Sequence, residues 1–188
     1  MINPEYLGFE LLKTGFKTWF LYMFKLIEGR PFIVEPIHDE LLEYYQNVFD
    51  GKLWRCNINI PPRAGKTTLQ EYFTVFCVTN NPKSNIIYTS YSQTLLAEIS
   101  SKVASILEHP AYKAMYPIKY QIEDESTELI DDFWRDYLHE NDGKNTYSAR
   151  KITTYAGGIA LFASIGSQIT GYGAGVRGSK TFSGFLAI

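Results

Sequence analysis

The chain has 188 residues, 45% hydrophobic and 20% charged, enough for one domain with a substantial core and ordinary for a soluble globular protein. Eighteen basic against 20 acidic side chains leave a formal charge of -2 and a pI near 5.9. That balance excludes a strongly basic nucleic-acid coat but not a machine that grips DNA through a few local contacts.

The first apolar-periodic segment opens at Pro4, suited to a first helical turn, and predicts one helix to about Glu28, ended by Gly29-Arg30-Pro31. Inside it, Phe16 to Ile27 is apolar and aromatic, but Lys17 and Lys25 interrupt the run. Its longest unbroken stretch, Trp19 to Phe24, is far too short to span a bilayer, and no small-residue cleavage site follows. A core- or partner-facing helix in a protein with no membrane partner is therefore expected. A second helix is predicted over His38 to Phe49, closed by Asp50-Gly51.

Arg55 to Ile60 reads as a strand, Lys66 to Val78 as a helix, and Asn80-Asn81-Pro82 as a turn. Ile86 to Thr89 is a second strand, followed by a helix from about Ser92 to Leu107 that His109-Pro110 stops. Strand, loop, helix, turn, strand, helix is the α/β pattern of a mostly parallel sheet flanked by helices. Ile118 to Asn145 is acidic with weak periodicity. Ser148 to Tyr155 and Ile159 to Ser164 alternate like a hairpin around Ala156-Gly157-Gly158. Seven glycines among the 22 residues from Gly157 to Gly178 predict a loop after it, and Phe185 to Ile188 reads as a third parallel strand. No repeat or linker divides the chain.

Cys56 and Cys77 have no metal-ligand spacing and are expected to be buried, reduced thiols. His38, His109 and His139 are scattered, and no Ser-His-Asp or Cys-His arrangement is readable.

Chemistry concentrates in Asn57 to Thr68, N-I-N-I-P-P-R-A-G-K-T-T. A phosphate-binding loop needs a strand that delivers the chain to a tight turn, backbone N–H groups aimed at the anion, and a helix that begins there. Gly65 lets the backbone come close, Lys66 can reach terminal phosphates, and the Thr67 hydroxyl can ligate Mg²⁺. The opening glycine of such a loop is absent, since Ile60 stands in its place. A proline-stiffened turn capping a helix is the plainer alternative. Arg63 suits either a phosphate contact or a solvent-facing turn.

Two further patterns fail on context. Gly173-Ala174-Gly175-Val176-Arg177-Gly178 matches G-x-G-x-x-G, but Ser179 to Gly184 is no helix start and only ten residues follow Gly178. Leu129-Ile130-Asp131-Asp132 resembles a strand ending in magnesium-binding acids, but only two apolar residues precede the pair, so a helix cap is the expected role.

Asn59 to Thr67 resembles the Walker A segment of the large terminase subunits of tailed bacteriophages, which often carry I-N-I-P-P-R-x-G-K-[ST] without the leading glycine. In order behind it, Tyr88-Thr89-Ser90-Tyr91-Ser92 with Leu95-Leu96-Ala97 resembles that ATPase's second strand and helix. Gly157-Gly158 through Gly171-Tyr172-Gly173-Ala174 is similar to the hairpin and glycine-rich loop before its Walker B strand. Gly29-Arg30-Pro31-Phe32 and His38 also sit where the family has similar residues.

The resemblance implies an ASCE-type P-loop NTPase, an ATP-driven motor in the host cytoplasm that packs double-stranded DNA into a procapsid. It implies a homo-oligomeric ring working with a portal protein and a small terminase subunit. ATP and Mg²⁺ would be held by Pro62, Arg63, Ala64, Gly65, Lys66, Thr67 and Thr68, with His38 at the adenine and Thr67 on the metal. Lys66 and Arg63 would act on the transferred phosphoryl group. Val176-Arg177-Gly178 resembles the family's hydrophobic-Arg-Gly element and makes Arg177 the candidate trans-acting arginine finger, against the alternatives of a loop arginine or a DNA phosphate contact.

The same resemblance divides the chain into an N-terminal helical segment, 1–54, and an ATPase core, 55–188, truncated at the Walker B strand. It implies that the acids after that strand and the nuclease domain lie elsewhere, and that 1–188 alone hydrolyses ATP slowly or not at all. The rivals are another P-loop translocase, such as a superfamily 2 helicase, and a non-catalytic interaction module docking a partner through its aromatic N-terminal helix.

Overall fold

A computed structural model describes residues 3–53, 55, 57–117, 146–147, 151–154, 156–165, 172–175 and 182–187. Six helices and a five-stranded sheet are present among them, an α/β arrangement.

The N-terminal helix is two helices. Helix α1 (Pro4–Lys13) starts with Pro4 in its first turn and the Asn3 side chain accepting from the Glu5 N–H at 3.0 Å. It stops at Thr14, and Gly15 at φ 89° redirects the chain into α2 (Phe16–Glu28). The Gln46 side chain takes up the Phe16 N–H at 2.7 Å, satisfying a donor that the break exposes. The expected single helix to Glu28 is thereby corrected. The break lets α2 turn its own stripe inward: Phe16, Trp19, Phe20, Met23 and Phe24, spaced i, i+3, i+4, i+7, i+8, are all buried. Gly29 ends α2 in the left-handed conformation at φ 68°.

Helix α3 (Pro36–Phe49) buries Leu41, Leu42 and Tyr45. Helix α4 (Lys66–Asn80) is buried on nearly every side from Leu69 to Thr79, so it has no solvent face in its middle. Phe16 joins the two layers, with Phe73 and Phe76 of α4 at 5.1 and 5.4 Å and Tyr45 of α3 at 5.7 Å between ring centroids. The N-terminal helices and α4 thus share one core.

After β1 (Asn85–Ser90), α5 (Gln93–Glu108) begins with the Ser92 hydroxyl accepting from Leu95 N–H at 3.1 Å. His109 ends it and caps a short helix not expected from the sequence, α6 (Pro110–Met115), by accepting from Ala111 N–H. Helix α6 packs on α1, where Trp19 donates to the Tyr116 hydroxyl (2.9 Å), which donates to the Gly8 carbonyl (3.0 Å).

Strands β2 (Thr146–Tyr147), β3 (Lys151–Thr153), β4 (Ile159–Ser164) and β5 (Leu186–Ala187) complete a sheet of order β2-β3-β4-β1-β5. β1 runs parallel to β4 and β5, while β2–β3 and β3–β4 are antiparallel, so the sheet is mixed rather than mostly parallel. The hairpin around Ala156-Gly157-Gly158 is the source of that mixture. A Cβ at Gly158 would stand 2.1 Å from the Pro82 carbonyl oxygen, so the turn needs glycine to nest against the α4–β1 connection. Ile86, Tyr88, Ile152, Ala160 and Phe162 face the helical core; Ile87, Leu161 and Ala163, on the other face, are also buried.

The expected strand at Arg55 to Ile60 is not seen among the described residues: 55 and 57–60 pair with none of the described strands. The alternation that suggested it is real, because Ile58 and Ile60 pack against the core while Asn57 and Asn59 are exposed. Period-two burial needs only an extended chain lying on an apolar surface, and that is what the segment does.

Candidate phosphate-binding loop

The head of α4 is at the carboxyl end of β1. The Tyr88 hydroxyl lies against the Thr74 hydroxyl and the Gln70 carbonyl oxygen (3.0 Å), whereas Asn81, just beyond the helix, donates its side-chain amide to the Phe182 carbonyl (3.0 Å) and closes a turn on Ser84. Helix and strand are therefore antiparallel, and Pro61 to Gly65 enters where open α/β sheets bind their ligands.

The loop is built from a turn and two left-handed residues. Ala64 N–H reaches back to the Pro61 carbonyl at 3.4 Å, with Pro62 and Arg63 between them. Arg63, at φ 65°, is the one non-glycine with positive φ among the described residues, a conformation costing about 1–2 kcal/mol. Gly65 follows at φ 73°, ψ 3° and then the helix starts. A left-handed residue followed by right-handed ones turns successive N–H groups to one side, forming an anion-binding nest. A Cβ at Gly65 would stand 3.3 Å from Phe32 and 3.4 Å from His38 Nε2, so this backbone is pressed against those rings.

Gly65 has no side chain to cap α4, and the N–H groups of Lys66, Thr67 and Thr68 have no acceptor within the helix. The positive end of the helix dipole is added to them. Arg63, Lys66 and Thr67 are exposed, as is Pro62, and Ala64, Gly65 and Thr68 are half-buried. Among the described residues neither Arg63 nor Lys66 forms an ion pair. Two cations without an ion pair among the described residues, a nest and a helix N-terminus therefore fall within residues 63–68, and Thr67 belongs to the same first turn of α4. No group of three or more His, Cys, Asp or Glu side chains able to hold a metal occurs among the described residues.

His38, the residue expected at the adenine, is tied to backbone on both sides of its ring. Its Nδ1 accepts from the Glu35 N–H at 3.0 Å, which leaves the proton on Nε2, and Nε2 donates to the Ala64 carbonyl at 3.1 Å. The ring is 7% exposed and meets Phe32 edge-on at 5.0 Å. Both nitrogens are thus engaged by backbone, and His38 ties the start of α3 to the loop. Sequence reasoning missed this bridge and missed Phe32 beneath Gly65. The readable signal was Glu35-Pro36-Ile37-His38, an N-cap and N3 pair with a helix-opening proline between them.

Arg177, with Val176 and Gly178, lies outside the described residues, as do Cys56, Asp131 and Asp132. Gly175, in the same glycine-rich stretch, donates its N–H to the Asn85 carbonyl at 2.9 Å, at the opposite end of β1 from the loop. The structure brings together His38 and residues 62–68.

No helix among the described residues is long and apolar enough to cross a membrane. No protein-family model, curated protein or solved structure matches the chain.

Proposed function

We propose that this chain binds the triphosphate of ATP at residues 62–68 and is the nucleotide-binding part of a viral DNA-packaging motor of the large-terminase type, a P-loop NTPase. The observation that carries the nucleotide reading is the pairing of left-handed Gly65 with the open N-terminus of α4, flanked by the exposed cations Arg63 and Lys66, which form no ion pair among the described residues. The backbone N–H groups of Lys66, Thr67 and Thr68 bind the phosphate oxygens, Lys66 neutralises the terminal phosphates, and Arg63 covers them from the loop. Mg²⁺, when bound, neutralises charge between the outer phosphates, and Thr67 is the residue that would hold it. His38 and Phe32 hold the loop in shape instead of touching the base.

Motif order supports the motor reading. The Ile60-to-Thr67 segment, the Tyr88-to-Ser92 strand end, the Gly157-Gly158 hairpin and a final strand beside β1 follow one another as in the terminase ATPases. On this reading the chain works in a homo-oligomeric ring in the host cytoplasm, on double-stranded DNA, with portal and small-subunit partners, and Arg177 completes a neighbour's site. Thermal shift with an ATP analogue and Mg²⁺ tests the nucleotide step. A Tm increase in the unaltered chain that Lys66→Ala abolishes is expected; no increase in either protein contradicts it.

Residues 55 and 57–60, which pair with none of the described strands, favour a second reading, a non-catalytic interaction module, because no described strand of the sheet delivers the loop. That reading predicts no response to nucleotide and no effect of Lys66→Ala.

A further inference from the structure

Away from the loop's surface, three helices meet at a charged junction. Glu28 at the end of α2 accepts from Lys102 of α5 at 2.6 Å and from the Tyr72 hydroxyl of α4 at 3.0 Å. Glu71 of α4 is 8% exposed and shares that environment. It sits one turn after Thr67 on the same helix face. The groups acting on the pair are Lys102, Tyr72 and Arg30, with Tyr88 of β1 also within the field of Glu71. Lys102 makes its short contact to Glu28 and acts on buried Glu71 through its charge, and among the described residues Glu71 forms no ion pair of its own.

We propose that the Glu28–Lys102–Glu71 junction is a proton-operated latch on the loop-bearing helix. It is closed while Glu71 is neutral and Lys102 serves Glu28 alone. It loosens when Glu71 is charged and two carboxylates compete for one ammonium.

The chemistry of each group agrees. Burial opposes the charge of Glu28, but the hydrogen bonds of Lys102 and Tyr72, with the charges of Lys102 and Arg30, hold its carboxyl below the ordinary range. Burial pushes Glu71 from 4.5 up to about 7, with Lys102 acting against the rise and Glu28 adding to it. Burial, with Glu28 beside it, raises the Tyr72 hydroxyl far above the ordinary range, so that group does not titrate in this window. For a raised carboxyl the native state keeps a proton that the unfolded chain has released. Stability is complete below the unfolded value and falls as pH rises through the folded one. The latch does not depend on the loop binding a nucleotide.

Urea unfolding of the unaltered chain and of Glu71→Gln at about pH 5 and about pH 8 tests it. Across that window the unfolding equilibrium constant of the unaltered chain is expected to rise, relative to that of Glu71→Gln, by about a hundredfold. Taking the difference between the proteins isolates Glu71 from other titrating groups. Parallel pH dependence in the two proteins overturns the latch. Should Glu71→Gln not fold, infrared spectroscopy of the unaltered chain reads the same group directly. A protonated-carboxyl band that persists at about pH 6, where exposed carboxyls are ionised, and fades by about pH 8 supports the proposal. No such band at about pH 6 refutes it.

Discussion

Replacing His38 by alanine separates the two roles an imidazole could have beside this loop. The ring holds Glu35 N–H on one side and the Ala64 carbonyl on the other, and it lies edge-on to Phe32. Two net hydrogen bonds at about 1 kcal/mol each, with up to about 1 kcal/mol for the ring contact, give a loss of about 2–3 kcal/mol. The lower end is favoured because Glu35 is exposed and its freed N–H can find water. In a chain of this length such a loss lowers Tm by about 4–12 °C. With the Ala64 carbonyl released, the nest at Gly65 loses its fixed shape, and phosphate affinity is expected to fall about tenfold, about 1.4 kcal/mol. The assay is calorimetric titration of His38→Ala with two ligands in parallel, an ATP analogue and inorganic triphosphate. If His38 shapes the loop, both affinities fall by the same factor. A fall confined to the ATP analogue refutes the bridging role and returns His38 to the adenine. Unchanged Tm refutes the bridge altogether.

Gly65→Ala forces a side chain into φ 73° and against Phe32 and His38, and is expected to cost about 1–2 kcal/mol from the backbone alone, read by urea unfolding. Gly184→Ala places a Cβ 1.8 Å from the Asn85 carbonyl oxygen at φ 146°, so β5 should detach from β1; faster hydrogen exchange at Ile87, whose N–H donates to Phe185, is the readout. Phe16→Ala removes the ring that joins α2, α3 and α4 and should cost about 3–5 kcal/mol, read by urea unfolding. Thr67→Ala should leave urea stability unchanged, because the residue is exposed, but should remove the Mg²⁺ enhancement of ATP-analogue binding.

Elements whose signals are local were readable in the sequence. The stripe from Phe16 to Phe24 marked the buried face of α2, His38 to Phe49 gave α3 but for the two residues that open it, and Ser92 marked the start of α5 at the residue whose hydroxyl caps it. Gly15 was also visible, but a glycine inside a helical pattern becomes a break only when something rewards it; here that is Gln46, thirty residues away. The run Asn57 to Ile60 misled because alternation reports which side of the chain is buried and carries no information on hydrogen-bonding neighbours. Sheet direction failed for a related reason: Gly157-Gly158 announces a hairpin, and where that hairpin docks is decided by Pro82 and Ser84 on another connection. At the loop, Gly65, Lys66 and Thr67 stand out by type, whereas the left-handed Arg63 and the bridge through His38 are properties of packing.

The most direct test of the nucleotide site is calorimetric titration of the 188-residue chain with a non-hydrolysable ATP analogue, with and without Mg²⁺, beside Lys66→Ala. Saturable one-site binding, strengthened by Mg²⁺ and lost in Lys66→Ala, is the expected result. No binding, or equal binding by both proteins, would contradict it.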